Sequence, residues 1–296
     1  MSRVTSMMVT RNVLGANQAN LNRVASLQFQ LATGKRLSQL SDDPISGRRA
    51  MTFRVQHNEM DRYLANIDKT LAFQQASESA VTNMIDITEE AKALALKATN
   101  GSEDASSRAA MAQTMDGLLQ RMVDLGNTVH DGRYVFSGTA VFDKPFQLNA
   151  DGNRVSYSGD QDDFQVTISK ANRATVNLNG AKVFQQEHDI FKALIDIRNA
   201  MQANDPQGVE DLLGDIDAAH AHLGDQLGAL GSSIRRIELT QQQIETQKVT
   251  LSELISKEED VDLAETISKL QVAETTLEAG LNAGARVLRP TLLDYI

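Results

Sequence analysis

The chain has 296 residues, and its 39 acidic and 29 basic side chains give a formal net charge of −10. This balance argues against nucleic acid as a partner, because nucleic acid binding needs clustered Lys and Arg. The absence of cysteine excludes disulfide scaffolds, thiolate zinc sites and cysteine nucleophiles.

The composition favours long helices. Aromatic residues make up 4% of the chain, Trp is absent, and there are four prolines. Compact enzyme cores rely on aromatic side chains for buried area, whereas helix–helix seams use Leu, Ile, Val, Met and Ala. The chain shows neither an apolar run of the signal-peptide type at its start nor a stretch long enough to span a bilayer, so we expect no membrane insertion.

The two ends of the chain carry opposite charges. Residues 1–41 contain five positive side chains and no acid, whereas residues 258–279 contain seven acids and one lysine. A helical apolar stripe runs through the first segment and consists of Leu14, Leu21, Val24, Leu27 and Leu31. We expect the two ends to pair as helices and to leave apolar surface that a single chain cannot bury.

Two further helices are predicted in the first half. One extends from about Ser46 to Thr99, and the next from about Asp104 to His130. The latter has a clean three–four apolar pattern: Met111, Met115, Leu118, Met122, Leu125 and Val129. A methionine column of this kind indicates core filling rather than a cofactor site.

At Asp131-Gly132 the apolar pattern changes from helical to alternating, which predicts a small β-rich insertion over residues 133–184. Asp151-Gly152 and Asn179-Gly180 are predicted to form tight hairpin turns. The heptad seams lie outside this insertion, so we expect it to make few contacts with the helical core.

A short amphipathic helix is predicted for Asp189–Ala203, followed by a long helix that Asp205 caps, that begins at Pro206 and that reaches Lys257. The long helix contains one fully apolar heptad column: Val209, Ile216, Leu223, Leu230, Ile237, Ile244 and Leu251. Such a repeat implies a supercoiled seam. Glycines at residues 228–231 indicate either a close backbone approach or a break.

Asp262 is predicted to cap the last helix, whose stripe is Leu263, Ile267, Leu270, Leu277, Leu281 and Leu288. The fold class is therefore mainly α: a nested, antiparallel, coiled-coil-like bundle of long helices with paired terminal helices and a small β-rich inserted domain. The expected domains are the terminal helices (residues 1–41 with 262–296), a helical rod (42–132 with 185–261) and the insertion (133–184).

We assign no catalytic residue, metal ligand or cofactor. Asp42-Asp43 is best interpreted as the cap of the helix that starts near Pro44, not as a catalytic carboxylate pair. The acidic run from Glu258 to Asp260 lacks the spacing of a calcium loop. No phosphate-binding glycine loop or nucleophile elbow is present.

Two segments resemble the terminal signatures of the bacterial flagellin superfamily. The first is LQFQLATGKRLSQLSDDPISG, residues 27–47, with its Gly34-Lys35-Arg36 turn and its Asp42-Asp43-Pro44 helix start. The second is EDVDLAE, residues 259–265, an acidic turn (Glu259, Asp260, Asp262) that leads into the last helix. The run DGRYVFSGT, residues 131–139, looks like the start of the outer domain in the hook-associated branch of the superfamily.

The resemblance implies a structural, non-enzymatic subunit of the bacterial flagellum that joins hook to filament in a ring-like zone. The stripes of the terminal helices would then make the assembly contacts of an inner polymerisation domain. Expected partners are copies of the chain itself, a hook-associated protein on the hook side and flagellin on the filament side. The resemblance also implies an extracellular location, reached without a cleaved signal peptide through the flagellar type III export apparatus and with a cytoplasmic chaperone.

Two other interpretations stay open at this point. One is a filament flagellin of the same superfamily. The other is a secreted coiled-coil adhesin whose β insertion binds a ligand.

Overall fold

The computed structural model describes residues 6–37, 39, 41–186 and 188–287. These residues form helices α1 (Ser6–Thr33), α2 (Pro44–Ala98), α3 (Ala105–Gly126), α4 (Gly180–Phe184), α5 (Ile190–Gln202), α6 (Pro206–Asp211), α7 (Leu213–Glu259) and α8 (Leu263–Val287). The strands are β1 (Val129–His130), β2 (Arg133–Tyr134), β3 (Phe146–Leu148), β4 (Val155–Tyr157), β5 (Gln165–Thr167) and β6 (Arg173–Thr175). The fold is mainly α with a small β-rich insertion, as the sequence predicts.

The chain divides into two compact units. Unit 1 consists of residues 1–59 and 247–296, and unit 2 consists of residues 60–246. In the described ranges, every helix is too short or too polar to cross a lipid bilayer.

Unit 2 is built on the predicted helical seams. The six members of the heptad column between Val209 and Ile244 are at most 3% exposed. In α3, the predicted stripe is buried from Met111 to Met122. The prediction that this helix reaches His130 is wrong, because α3 ends at Gly126 and Val129 lies in β1, where it is 51% exposed. The α3 stripe and the first three members of the column share one core with α2 and α5, because apolar side chains at helical spacing have to be covered by other helices. Leu230, Ile237 and Ile244 belong to another cluster, which they form with side chains of α2.

The long helix predicted from Asp205 differs in detail from the one observed. Asp205 does cap the helix, accepting the Gly208 N–H at 3.0 Å, and Pro206 is the first helical residue. However, the helix is interrupted at Leu212, between α6 and α7. No break occurs at Gly228 or Gly231, and a Cβ atom placed there would meet nothing within 4 Å, so both expectations for these glycines are wrong.

The insertion contains three antiparallel two-stranded hairpins, β1–β2, β3–β4 and β5–β6. The turn predicted at Asp151-Gly152 is confirmed and joins β3 to β4. The turn predicted at Asn179-Gly180 is wrong, because Asn179 instead caps α4 by accepting the Lys182 N–H at 3.1 Å. A Cβ atom on Gly180 would lie 2.5 Å from the Phe136 carbonyl oxygen, so this position requires glycine.

The expectation that the insertion makes few core contacts is also wrong. Phe136, Phe146 and Phe184 are fully buried in the same core as the helices of unit 2. The β5–β6 hairpin contributes Ile168 and Ala174 to a second cluster with side chains of α2 and α7. In the β3–β4 hairpin the buried side chains are Phe146 and Val155, which belong to the core that α2, α3 and α5 share.

Candidate functional site

The two signature turns lie side by side in unit 1, although they are 225 residues apart in the chain. The Val261 N–H donates to the Gly34 carbonyl at 3.0 Å, and the Arg36 N–H donates to the Glu259 carbonyl at 2.7 Å. Lys35 and Asp260 form an antiparallel bridge between the two turns. Gly34 has a φ of +70°, the left-handed conformation with which helices commonly end.

Ion pairs also connect the two signature turns. Lys35 Nζ lies 2.5 Å from Asp260 Oδ1 and 3.5 Å from Glu259 Oε2, and Arg54 Nη2 lies 2.5 Å from the same Glu259 oxygen. The Glu259 side chain is 9% exposed, so the two cations compensate a nearly buried acid. The hydrogen bond from Lys35, together with one from Ser256, lowers the pKa of Asp260, and the bond to Asp260 raises the pKa of Lys35.

Asp43 begins α2, as predicted. Its Oδ1 accepts the Ile45 and Ser46 N–H groups at 3.1 and 3.2 Å, and Pro44 is the first helical residue. Hydrogen bonds from Ser46, first from its side chain and then from its backbone, lower the pKa of Asp43 to about 2. Asp42 turns the other way and accepts the Gln39 N–H at 2.9 Å, so the two acids do not form a carboxylate pair.

The remaining signature residues also bind backbone groups. Asp262 Oδ1 accepts the Glu265 N–H at 3.0 Å and thereby caps α8. Arg36 connects both signatures, because its Nη2 donates to the Glu258 carbonyl at 2.7 Å and its Nη1 lies 3.5 Å from Asp43. The whole arrangement fixes where α1 ends and α8 begins.

The terminal helices pair within one chain. Val24 and Leu27 of α1 are buried against Ala273 of α8, with Leu270 and Leu277 packed at the edge. Leu31 is half-buried. Among the described residues, Arg11 and Arg23 form no ion pair with the acids of α8, so the electrostatic pairing of the two ends is concentrated at the turns.

The other predicted assembly residues are uncovered. Five of them are between 49% and 66% exposed: Leu14, Leu21, Leu263, Ile267 and Leu281. Leu288 lies outside the described residues. Leu14 and Leu21 are seven residues apart and share one face of α1, and Leu263 and Ile267 are four apart and share one face of α8. The pair of helices therefore leaves apolar surface that is available to another molecule.

Sequence reasoning missed four residues of this region. Arg49 and Arg54 lie on α2 and bind Glu258 and Glu259, but nothing in their spacing marks them as partners of the acidic turn. Gly280 and Gly284 lie where α8 approaches α1 closely, since a Cβ on Gly284 would be 2.9 Å from a methyl group of Val13. Their four-residue spacing places both glycines on one face of α8, a pattern in the sequence that indicates close contact between helices.

The described part of the chain contains no group of three or more His, Asp and Glu side chains arranged to hold a metal ion. The acids of the two signature turns instead contact Lys and Arg side chains and backbone N–H groups. These contacts therefore hold the two signature turns together.

Comparisons with known proteins agree with this architecture. Residues 2–141 match the family model for the bacterial flagellin N-terminal helical region, and residues 213–296 match that for the C-terminal helical region. Together these two matches cover well over half of the chain. Both signature turns lie within the matched ranges.

Among curated relatives, the chain is 25% identical to flagellar hook-associated protein 3 of Escherichia coli (strain K12), over 94% of each chain. It is 23% identical to the protein of the same name from Salmonella typhimurium, over 93% of each. By contrast, the match to polar flagellin E of Vibrio parahaemolyticus, at 27% identity, covers 52% of this chain and 40% of the flagellin.

Solved structures share the fold. A putative flagellar hook-associated protein from Vibrio parahaemolyticus superposes with a TM-score of 0.68 at 16% identity, covering 74% of this chain and all of that one. Bacillus cereus FlgL superposes with a TM-score of 0.61 at 20% identity, covering 69% of this chain and 99% of that one. The chain therefore belongs to the bacterial flagellin family, whose members are structural proteins of the flagellum and not enzymes.

Proposed function

We propose that this chain is the structural subunit that joins the flagellar hook to the filament. The observation that carries the proposal is the similarity to hook-associated protein 3 over nearly the full length of both chains. The flagellin match quoted above spans about half of this chain, which favours the junction over the filament role.

We propose further that the terminal helices, residues 1–41 and 262–296, are the inner polymerisation domain. Residues 42–132 with 185–261 would form the rod, and residues 133–184 the outer insertion. Support comes from the five exposed apolar residues of α1 and α8, which would lose their contact with water in an assembly. The partners would be copies of the chain in a ring-like zone, a hook-associated protein on one side and flagellin on the other.

The proposal also includes the route by which the chain reaches the flagellum. The chain would leave the cell through the flagellar type III export apparatus, accompanied beforehand by a cytoplasmic chaperone, and would function outside the cell without cleavage of a signal peptide. An intact amino terminus on the subunit recovered from purified flagella would support this route, and a processed one would contradict it.

Deletion of the gene tests the junction role. We expect negative-stain images to show hooks without filaments, and we expect unassembled filament protein in the medium. Restoring the gene should restore the filaments. Filaments that remain attached in the deletion strain would contradict the proposal. If the chain proved to be present in thousands of copies along the filament, the filament flagellin interpretation would replace it.

A further inference from the structure

Two asparagine–glycine pairs occur in the chain, Asn100-Gly101 and Asn179-Gly180. In such a pair the backbone nitrogen of the glycine can attack the side-chain carbonyl carbon of the asparagine, because glycine has no Cβ atom to crowd the approach. A succinimide ring closes, and the amide nitrogen leaves as ammonia with the proton of the glycine N–H. Water then opens the ring, so the asparagine becomes aspartate or isoaspartate and carries a new negative charge.

The first pair lies in the turn that follows α2 and is open to solvent. Asn100 and Gly101 are both exposed, and among the described residues the Gly101 N–H donates to no acceptor. The Asn100 Oδ1 atom accepts the Ser102 N–H in a long hydrogen bond of 3.5 Å. This bond directs the asparagine side chain toward the backbone that follows it, which is the direction from which the ring closes.

The surroundings of Asn100 also favour the charge that the reaction creates. The Asn100 carbonyl accepts a hydrogen bond from Arg108 Nη2 at 3.0 Å. Arg108 is 6% exposed, and in the described part of the chain its hydrogen bonds go to neutral oxygen atoms, those of the Ala98 and Asn100 carbonyls and of the Asn204 amide. A carboxylate at position 100 would therefore lie beside a buried cation that has no acidic partner.

The second pair is protected by the fold. Gly180 is buried, and its N–H donates to the Phe136 carbonyl at 3.1 Å. The Asn179 Oδ1 atom accepts the Lys182 N–H at 3.1 Å as the cap of α4. Closure of a ring between Asn179 and Gly180 would break both hydrogen bonds in a place that is closely packed. The same dipeptide is therefore expected to react at one position and to be stable at the other.

We propose that Asn100 is a site of spontaneous deamidation in the native protein and that Asn179 is not. Water is the only co-reactant, and no enzyme takes part. Each modified copy gains one negative charge in the turn between α2 and α3. The proposal depends on the contacts of the two pairs within one chain, so it is independent of the proposed role in the flagellum.

Peptide mapping by mass spectrometry tests the proposal. The purified protein is incubated in a mildly alkaline buffer, once native and once in urea, and conversion of amide to carboxylate is followed at both positions. In the native protein we expect Asn100 to react at least about tenfold faster than Asn179, because reaction at Asn179 requires local opening of the structure. In urea the two rates should be similar, since both pairs then belong to an unfolded chain. Similar rates in the native protein would overturn the proposal.

Gly101→Ala tests whether the reaction passes through ring closure. A Cβ atom on Gly101 would meet nothing within 4 Å, so the fold and its thermal unfolding should be retained. The new methyl group crowds the attacking nitrogen, and we expect the rate at Asn100 to fall about tenfold or more. Gly117→Ala is the matched control, because its Cβ atom also meets nothing within 4 Å and both asparagine–glycine pairs stay intact. If the folded Gly101→Ala protein lost the Asn100 amide as fast as Gly117→Ala, the proposal would be wrong.

Discussion

Glu259 shows how a single acid holds the two ends of this chain together. Its carboxylate is nearly buried between Lys35 and Arg54, and its carbonyl accepts the Arg36 N–H. A buried acid that loses one of its cations keeps the cost of desolvation without the full compensation. Removal of Arg54 should therefore lower the stability of unit 1 more than the exposure of its own side chain suggests.

We expect Arg54→Ala to destabilise unit 1 by about 1 kcal/mol or more, because it leaves Glu259 with Lys35 at 3.5 Å as its remaining cation. Arg48→Ala is the matched control, since Arg48 is an exposed arginine of the same helix. Urea unfolding followed by circular dichroism measures both. Equal effects of the two substitutions would show that the Arg54–Glu259 pair contributes nothing specific.

Two acids of the signature turns, Asp43 and Asp260, predict sensitivity to low pH. The pKa of Asp43 is lowered to about 2, mainly by Ser46, and the pKa of Asp260 is lowered, mainly by Lys35. Because the folded-state pKa values lie below the unfolded ones, the stabilisation is present above the unfolded pKa and is lost as the pH falls through the folded one; for Asp43 this window extends from about pH 4 down to about pH 2. We expect the melting temperature to fall in this window. In Ser46→Ala, NMR titration should show the pKa of Asp43 returning toward 3.8; an unchanged value would contradict the assigned cause.

At the level of helices, two glycines in different helices are expected to have opposite effects on stability. Gly228 lies in α7, and a Cβ atom there would meet nothing within 4 Å. Gly284 lies in α8, where a Cβ would crowd Val13 at 2.9 Å. Glycine costs up to about 1 kcal/mol in a helix relative to alanine unless close packing requires it.

Gly228→Ala should therefore stabilise the protein by about 0.5–1 kcal/mol, whereas Gly284→Ala should loosen the α1–α8 pair. Thermal unfolding measures the first effect, and the rate of limited proteolysis within α1 measures the second. A gain of stability in Gly284→Ala comparable with that of Gly228→Ala would show that α8 does not approach α1 as closely as described.

The insertion offers a matched pair of phenylalanines. Phe146 is fully buried and contacts the rings of Phe184 and Phe191 at centroid distances of 5.3 and 5.1 Å, whereas Phe142 is 75% exposed. We expect Phe146→Ala to cost about 3–5 kcal/mol, the range for a buried phenylalanine, and Phe142→Ala to cost almost nothing. If Phe146→Ala melted like the parent, the insertion would be independent of the helical core after all.

These elements also show which features the sequence could predict. The burial of the heptad column from Val209 to Ile244 was predicted correctly, because its seven-residue period can be recognised in the sequence alone. Asn179-Gly180 was misassigned because asparagine favours both hairpin turns and helix caps, and the contacts of Gly180 with Phe136 decide between them. The burial of the insertion and the roles of Arg54 and Gly284 depend on partners distant in the chain, which periodicity does not identify.

For the whole molecule, the apolar residues of α1 separate folding from assembly. Val24 and Leu27 are buried within the chain and stabilise the α1–α8 pair. Leu14 and Leu21 lie on the same helix, yet they are 66% and 51% exposed. Exposed leucines at heptad spacing contribute little to the folding of one chain, and in the proposed assembly they would make contacts between chains.

We therefore expect Leu14→Asp to leave the folding of the single chain nearly unchanged and to block its incorporation into the flagellum. In the proposed assembly this position would be buried, where an unpaired carboxylate costs several kcal/mol, and the cost would recur in every copy. Ala19→Asp, at an exposed position of α1 outside the apolar stripe, controls for the added charge. The measurements are the melting temperature of the purified protein and negative-stain images of the cells. Hooks without filaments in Leu14→Asp, and normal flagella in Ala19→Asp, are the expected results. Normal flagella in both would show that this face of α1 makes no assembly contact, and the contacts between copies would then have to lie on other surfaces, such as those of unit 2.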